Sequence, residues 1–330
     1  MVHDPLDLAA TGLADGFEAA AVGAALAAAP LVGSGRGDDI DGLAVRALRA
    51  ALAPLAVDGV VVVGEGEKDE APMLFVGERF GTGAGPVVDL AVDPVDGTRL
   101  AAAGRPGAMA VMAVAPGGAL ASLGAAHYME KHVTWVPDVP AGASIVEIVG
   151  RAAAACGVSP AEVRVAVQDR PRNERFVAEA RAAGASVELF EHGDVERCIR
   201  AARRGGGLDV VAGIGGAPEG VLTAAAVRAL GGSMHARLAP QSTAERSRIV
   251  AAGLSETHVL SLDDLCGADA WLFVAAVTPC SFGSGAELAP GESWRVGPGD
   301  PGTRRPRDPG TRRLRDPGTR RLRAENRNLQ

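Results

Sequence analysis

Aromatic residues, lysine and paired cysteines are the scarce features of this sequence. Aromatic side chains make up 3% of the 330 residues and hydrophobic residues 47%, so alanine, valine and leucine must fill the core. Lysine occurs only at Lys68 and Lys131. No two cysteines have the spacing of a zinc site or of a redox pair, which predicts buried thiols in a reducing compartment. The four cysteines are Cys156, Cys198, Cys266 and Cys280.

Long hydrophobic runs are also missing. The most apolar stretch, residues 19–32, is mostly alanine and is interrupted by Gly23 and Pro30. It lacks both the hydrophobicity of a membrane span and the basic flank of a signal peptide. We therefore expect a soluble cytoplasmic protein with no membrane contact.

The charge is unevenly distributed. The formal net charge is −7, yet residues 300–330 contain ten arginines against four acidic residues, a balance of +6, which leaves −13 for the remainder. An acidic body argues against nucleic-acid binding and fits a metal-dependent enzyme, in which a cation offsets clustered carboxylates. The arginine-rich end is the only candidate for contact with a polyanion.

That end is a direct repeat. The octad that begins at Asp300 (DPGTRRPR) returns at Asp308 and at Asp316, with leucine in place of its second proline. Its proline, glycine and arginine content cannot fill a core, so we expect residues 289–330 to be a disordered tail. The tail is either without function or binds polyanions weakly.

The remaining chain reads as two domains of an α/β protein. Residues 1–138 predict an α+β domain, in which two helices precede the strands of a mixed sheet. The second of these helices is expected at about residues 42–52, after a loop that contains Asp41. Residues 139–288 predict a doubly wound domain, because helices of about ten residues alternate there with strands. The predicted strands of the first domain are residues 60–63, 87–92, 109–115 and 132–136, and those of the second are 163–167, 187–190 and 208–212.

Residues 93–98 (DPVDGT) carry the strongest chemical signal. They follow the apolar run of residues 87–92, and we expect Pro94 to end that strand and Gly97 to form a tight turn. Asp93 and Asp96 would then converge with the acidic run of residues 64–70 (GEGEKDE). Carboxylate oxygens gathered in this way suit Mg²⁺ or Mn²⁺. A solvated turn is the alternative for either segment alone.

Residues 213–220 (GIGGAPEG) form a second candidate site. We expect them to be a loop between a strand that ends at Ala212 and a helix that begins at Val221. Glycines allow close backbone approach, and a helix N-terminus offers free N–H groups to an anion. Glu219 is unusual in such a loop and could supply another metal ligand.

These motifs, in this order, resemble the class II fructose-1,6-bisphosphatases, a branch of the lithium-sensitive, inositol-monophosphatase-like phosphatases. The resemblance covers residues 30–280, and the pairing of GEGEKDEAP with GIGGAPEG makes it specific. It implies a layered αβαβα sandwich, a homo-oligomer, and Mn²⁺- or Mg²⁺-dependent hydrolysis of the 1-phosphate of fructose 1,6-bisphosphate. Sedoheptulose 1,7-bisphosphate is a second expected substrate. The matching segments are residues 35–42, 64–74, 93–98, 128–131, 170–172, 193–194 and 213–220.

The resemblance also implies roles for individual residues. The implied metal ligands are Asp41, Glu65, Asp93, Asp96 and Glu219. The implied catalytic residues are Thr98, with Glu67 and Asp69 beside it. The implied substrate contacts are Asp96, Gly97 and Thr98 at the scissile phosphate, and Tyr128, Arg170, Pro171, Arg172, His192, Gly193, Asp194 and Gly216 at the sugar and the distal phosphate.

Simpler interpretations stay open for part of this set. Tyr128 could be an ordinary strand residue, Arg170 and Arg172 a solvated loop pair, and Glu67 and Asp69 exposed charges. At the level of function, the alternatives are an inositol or nucleotide monophosphatase, or a metal- and phosphate-binding protein with weakened catalysis. A monophosphatase has no use for an arginine pair that binds a second phosphate.

The sequence departs from the family pattern at five places. Asp39 stands where the family has lysine, and Asp96 where this branch has glutamate. Arg170 replaces a lysine, and His192 replaces an acidic residue, which puts hydroxyl recognition there in question. After about Ser281 the family's terminal strand-forming segments give way to a glycine-rich stretch and the arginine octads, so we expect an exposed sheet edge or lower stability.

Overall fold

Helices and strands alternate along the chain in the computed structural model, which describes residues 6–64, 74–283, 285–298 and 300–305. The helices are α1 Leu13–Ala28, α2 Gly37–Leu52, α3 Thr98–Ala102, α4 Ile145–Cys156, α5 Glu174–Ala182, α6 Asp194–Ala202, α7 Ala217–Leu230, α8 Thr243–Ala251 and α9 Leu262–Leu265. The strands are β1 Asp58–Val63, β2 Arg79–Phe80, β3 Val87–Asp96, β4 Met109–Pro116, β5 Tyr128–Thr134, β6 Arg164–Gln168, β7 Ser186–Phe190, β8 Val210–Gly216, β9 Ser233–Leu238, β10 Leu260–Ser261, β11 Trp271–Ala276, β12 Cys280–Ser281, β13 Glu287–Leu288, β14 Ser293–Gly297 and β15 Asp300–Arg305.

Two large mixed sheets organise these strands. The first has the order β15-β14-β11-β4-β3-β1-β2, and the second has the order β10-β9-β5-β8-β6-β7. The predicted α/β class is therefore confirmed. In the second sheet the parallel pairing expected from the alternation of helices and strands is found in β7, β6 and β8. Strands β5, β9 and β10 pair antiparallel, so that sheet is mixed.

The helices form layers on and between the sheets. Helices α1 and α2 pack against the outer face of the first sheet, and α4 and α5 cover the outer face of the second. Helices α6 and α7 lie between the sheets and contact both. This is the αβαβα sandwich that the family resemblance implied. Its described residues form three hydrophobic cores: one between the two sheets, one beneath α1 and α2, and one beneath α4 and α5.

Strand β4 shows why the first sheet is apolar on both faces. Its odd-numbered residues, among them Met109 and Val111, point to the core between the sheets. The alternate residues Ala110, Met112 and Val114 point to the core beneath α1 and α2. All are essentially inaccessible to solvent. A strand covered on both faces requires this continuous apolar run, since successive side chains alternate between faces.

The predicted end of β3 at Pro94 is wrong. The strand continues to Asp96, with a register shift against β4 between Asp93 and Asp96. On its other side, pairing with β1 ends at Ala91. Pro94 therefore lies in an irregular segment past the end of β1, where its missing N–H costs little ladder bonding. Gly97 makes the expected turn at φ 80°.

Two further element boundaries differ from the prediction at the site. Helix α2 begins at Gly37, so Asp41 lies on a helix where a loop was expected. Asp38 and Asp39 in its first turn stabilise that start, because the helix N-terminus is partly positive. The predicted glycine-rich loop is also wrong, because β8 runs through Gly216 and α7 begins at the next residue.

The C-terminal part of the chain returns to the first sheet. Strand β11 pairs with β4, β14 pairs with β11, and β15 pairs with β14. Trp294 and Val296 of β14 are buried, and Trp294 stacks on Phe282 at 5.5 Å. Strands β14 and β15 therefore occupy part of the stretch expected to be a disordered tail, and residues 306–330 lie outside the described part. The proposed domain division at residue 138 stays a prediction.

Three of the four cysteines are buried, and one is at the surface. Cys198, Cys266 and Cys280 are buried free thiols, as expected, but Cys156 is exposed at the end of α4. Among the described helices, none is long and apolar enough to cross a membrane.

Candidate functional site

One cavity of about 1080 Å³ collects most of the predicted site residues. It lies beyond the carboxyl ends of β3, β6, β7 and β8, where α/β sheets ordinarily bind ligands. The predicted residues that line it are Asp93, Asp96, Gly97, Thr98, Tyr128, Arg170, Arg172, His192, Gly193, Asp194, Gly216 and Glu219. Asp41 and Pro171 are described but do not line it. Glu65, Glu67 and Asp69 lie outside the described residues.

Three of the predicted metal ligands reach the cavity from two elements. Asp93 and Asp96 stand at the irregular end of β3, and Glu219 stands in the first turn of α7. Asp93 Oδ1 accepts a hydrogen bond from the Val95 amide at 3.0 Å, which fixes the carboxylate against its own turn. Asp96 Oδ2 accepts one from the Glu196 amide at 3.2 Å, so the start of α6 holds that carboxylate in place.

The electrostatic setting of Asp96 favours a cation nearby. Its side chain is 6% exposed. Burial raises the pKa of Asp96 to about 7, and the negative charges of Asp194, Glu196 and Glu219 add to the rise. A carboxylate in such surroundings ionises more readily when positive charge compensates it.

The donor set suits a hard divalent cation in type. Asp93, Asp96 and Glu219 offer carboxylate oxygens only, which are the ligands that Mg²⁺ and Mn²⁺ prefer. Within the described residues, however, no group of three or more His, Cys, Asp and Glu side chains is close enough to hold a metal ion. Glu65, the ligand predicted to complete the set, lies outside those residues.

Thr98 connects the cavity to α2. Its Oγ1 lies 2.9 Å from Asp41 Oδ1 and 2.9 Å from the Val95 carbonyl oxygen. The hydroxyl has one hydrogen, so it donates to one of these oxygens and keeps its lone pairs as acceptors. Gly97, directly before Thr98, adopts the left-handed conformation at φ 80° that glycine favours. Asp41 therefore reaches the site through Thr98.

Both predicted arginines are held by hydrogen bonds to backbone carbonyl oxygens. Arg172 Nε donates to the Ile214 carbonyl oxygen at 3.1 Å, and its guanidinium carbon lies 5.0 Å from the centre of the Tyr128 ring. Arg170 donates from Nη2 to the Glu191 carbonyl oxygen at 2.8 Å. These contacts leave other N–H groups of each planar fork available to an anion.

His192 stands in a cationic part of the cavity wall. Burial lowers the pKa of His192, and the positive charges of Arg99 and Arg170 lower it further. The imidazole is therefore neutral at pH 7 and has one donor and one acceptor nitrogen. Arg99 also lines the cavity, and the sequence analysis assigned it no role.

Lys131 is the described residue that the sequence analysis missed. It is 1% exposed, lies on β5 and donates from Nζ to Asp194 Oδ2. Burial is the largest influence and would lower the pKa of Lys131, but the charge of Asp194, its hydrogen bond to the ammonium and the charge of Glu219 together raise it. Two features of the sequence could have marked Lys131 as functional: lysine is rare in this chain, and residues 128–131 belong to a segment that matches the family.

Comparison with known proteins identifies the family. A family model described as "Bacterial fructose-1,6-bisphosphatase, glpX-encoded" matches residues 12–293. The chain belongs to this family. The family resemblance expected from the sequence is therefore confirmed, and the match includes every described residue of the cavity wall.

Three curated relatives agree with the family model. The "D-fructose 1,6-bisphosphatase class 2/sedoheptulose 1,7-bisphosphatase" proteins of Synechococcus sp. strains CC9902 and CC9311 are each 42% identical over 219 residues, which is 65% of this chain and 65% of each relative. The chain thus spans just under two thirds of the length of these two. The "Fructose-1,6-bisphosphatase 2 class 2" of Escherichia coli strain K12 is 42% identical over 270 residues, which is 76% of this chain and 83% of the relative.

One departure from the bisphosphatase family pattern now has a local explanation. Asp39 forms an exposed ion pair with Arg36, Nε to Oδ2 at 2.7 Å, one turn apart at the start of α2. Neither residue lines the cavity. Asp39 therefore places a negative charge where the family has a positive one, on an exposed part of α2 outside the cavity wall. The carboxylates that line the cavity are unchanged by this replacement.

Proposed function

We propose that the protein hydrolyses the 1-phosphate of fructose 1,6-bisphosphate to give fructose 6-phosphate and phosphate. Sedoheptulose 1,7-bisphosphate is a second proposed substrate, because it also carries a phosphate at each end of a polyol. The observation that carries the proposal is that one cavity holds both Asp93, Asp96 and Glu219 and the arginine pair Arg170 and Arg172. Family membership and the names of the relatives support it.

The carboxylates would hold the metal. We assign that role to Asp93, Asp96 and Glu219, joined by Glu65 and by Asp41, with Mn²⁺ or Mg²⁺ as the ion. The chemistry that a bound divalent cation supplies is neutralisation of phosphate charge and activation of water. The buried setting of Asp96 supports the assignment, since its neighbouring acids favour a compensating cation.

Thr98 would orient the attacking water. Its hydroxyl hydrogen is directed to Asp41 or to the Val95 carbonyl oxygen, so its lone pairs face outward as acceptors. A water that donates to Thr98 Oγ1 is held with its oxygen lone pair free to attack phosphorus. Glu67 and Asp69 stay proposed as the neighbouring acids that take up the proton by way of Thr98, and Asp41 keeps its proposed role as a metal ligand.

The arginines would bind the distal phosphate and so select a bisphosphate. Guanidinium groups bind phosphate through two parallel hydrogen bonds. Tyr128 supports Arg172 from below at 5.0 Å, and Asp194 would accept a hydrogen bond from a sugar hydroxyl. His192, Gly193, Pro171 and Gly216 complete the proposed sugar-binding surface, together with Gly97 at the scissile phosphate.

Phosphate release from a panel of substrates tests the proposal. The purified protein is assayed with Mn²⁺ or Mg²⁺ on fructose 1,6-bisphosphate, sedoheptulose 1,7-bisphosphate, inositol monophosphate and a nucleoside monophosphate. We expect the highest kcat/KM with a sugar bisphosphate and loss of turnover in a chelator. A preference for a monophosphate would favour the monophosphatase alternative, and no turnover with metal still bound would favour a binding protein.

The cellular setting and assembly are proposed as well. We place the protein in the cytoplasm and expect a homo-oligomer. The buried free thiols Cys198, Cys266 and Cys280 support a reducing compartment. Light scattering coupled to gel filtration measures the assembly, and a monomeric mass would contradict it.

A further inference from the structure

A fully buried lysine lies directly behind the cavity wall. Lys131 on β5 is 1% exposed, yet its ammonium donates to Asp194 Oδ2, and the Asp194 side chain lines the cavity. A buried ammonium is costly unless it is paired. The pair joins the middle of the second sheet to the first residue of α6.

The fold leaves room for this pair by placing glycine opposite it. Gly215 lies on β8, next to β5. A Cβ atom at Gly215 would come within 2.7 Å of Asp194 Oδ2 and 3.3 Å of Lys131 Nζ. Any larger residue at that position would displace the ion pair, so the glycine is a condition for the contact.

Helix α6 is held independently of Lys131. Val195, Cys198 and Ile199 are buried in the core between the sheets. The Glu196 amide, which donates to Asp96, therefore keeps its place when the lysine contact is lost. Loss of Lys131 removes the contact to Oδ2 of Asp194 and leaves the longer contact of Cys198 Sγ with Oδ1, at 4.0 Å, to restrain that side chain.

We propose that Lys131 is a positioning residue for the sugar-binding step, which it serves by holding Asp194 at a fixed place in the cavity wall. The proposal rests on the proposed function, in which Asp194 binds a sugar hydroxyl. Lys131 does not touch the substrate. It fixes Oδ2 of Asp194, and Oδ1, which lies 4.0 Å from Cys198 Sγ, keeps lone-pair capacity to accept a hydrogen bond from the sugar.

The test compares two phosphate esters across Lys131→Met, Asp194→Asn and the double variant. Methionine has the length of lysine without its charge. For fructose 1,6-bisphosphate we expect KM to rise about tenfold in each single variant, since a hydrogen bond to a charged group is lost. For p-nitrophenyl phosphate, which has no sugar, we expect kcat/KM at saturating Mn²⁺ to change less than about threefold, since Asp93 and Asp96 keep the backbone hydrogen bonds that hold them.

The double variant separates positioning from general structural support. Because Lys131 acts through Asp194, the KM of Lys131→Met/Asp194→Asn should equal that of Asp194→Asn. Additive increases in KM, or equal losses on both esters, would overturn the proposal. If Lys131→Met does not fold, the comparison of Asp194→Asn with the double variant, which leaves no buried unpaired charge, decides the question.

A neighbouring ion pair serves as the control. Arg175 pairs with Glu130 on the same strand as Lys131, but the Arg175 side chain is 54% exposed. Arg175→Met should leave KM for fructose 1,6-bisphosphate unchanged. Absence of bisphosphate turnover in the wild type would refute the proposed function, whereas wild-type turnover with an unchanged KM in Lys131→Met would refute the positioning role.

Discussion

Thr98 Oγ1 lies 2.9 Å from Asp41 Oδ1, although 57 residues separate the two in sequence. Asp41 lies on α2, one turn past the helix start at Gly37, and Thr98 is the first residue of α3. This contact is how α2 reaches the cavity, because Asp41 itself does not line it. It holds the Thr98 hydroxyl oxygen at a fixed place beside α2.

Thr98→Ala should abolish most turnover while the protein still binds Mn²⁺. Loss of an oriented hydroxyl in proton transfer reduces kcat by about 10²- to 10⁴-fold. Thr98→Ser keeps the hydroxyl and should retain activity within about tenfold. Steady-state kinetics with Mn²⁺ titration by calorimetry measures both quantities. A kcat near the wild-type value in Thr98→Ala would refute the role assigned to Thr98.

Arg172→Gln should raise KM for fructose 1,6-bisphosphate and leave p-nitrophenyl phosphate turnover unchanged. The glutamine cannot bind phosphate as a charged fork, so we expect an increase of at least about tenfold. Arg181→Gln is a matched control, since Arg181 is exposed on α5 and does not line the cavity. The same KM in the wild type, Arg172→Gln and Arg181→Gln would show that Arg172 does not bind the distal phosphate.

Gly216→Ala should weaken Mn²⁺ binding through Glu219. A Cβ atom at Gly216 would overlap the Glu219 carboxylate, whereas the backbone at φ −64° accepts alanine without strain. The flexible Glu219 carboxylate must then move away from its place in the cavity. Disturbing the residues that hold a metal ligand in position lowers metal affinity by about 10- to 100-fold. Gly150→Ala is the control, because Gly150 lies on α4 with nothing within 4 Å of the added atom. Equal Mn²⁺ affinity in both variants would contradict the ligand role.

Acid should destabilise the fold through two buried histidines. Burial lowers the pKa of His132 to about 3 and of His235 to about 4, both from 6.5, and the rings lie 4.8 Å apart across β5 and β9. Between those folded values and 6.5, the unfolded chain binds more protons, so stability is full above pH 6.5 and falls as the pH falls. At pH 5 the loss is on the order of 1–2 kcal/mol for each histidine.

Thermal unfolding between pH 8 and pH 5 checks this dependence. His132→Phe keeps an aromatic ring beside Phe176 and removes one titrating group, so its Tm should fall less steeply with acid than that of the wild type. His258→Gln removes an exposed imidazole and should leave the slope unchanged. A slope in His132→Phe that equals the wild-type slope would contradict the assignment.

The local parts of the site followed from sequence patterns, and long-range pairing did not. The turn at Gly97 was predictable because glycine favours φ near 80°. The continuation of β3 past Pro94 was not, since it depends on where its neighbour β1 ends. The pairing of β11 and β14 with a sheet formed by the first third of the chain likewise depends on contacts between distant segments.

The burial and the partner of Lys131 also could not be predicted from the sequence. Lys131 lies on β5 between the half-buried Glu130 and the buried His132, and its partner Asp194 is 63 residues away. A lysine in a strand is ordinarily a solvated side chain. Only the fold shows that β8 passes Gly215 beside it and that α6 begins at its partner. Residue type and motif membership marked the segment, but burial supplied the role.

Crystals of the full chain soaked in Mn²⁺ test the proposed metal site. The proposed function requires that carboxylates from β3 and α7 share divalent cations at one end of a single cavity. It predicts anomalous difference peaks within about 2.3 Å of oxygens of Asp93, Asp96 and Glu219. No peak in the cavity, or Mn²⁺ bound only elsewhere on the molecule, would contradict the account.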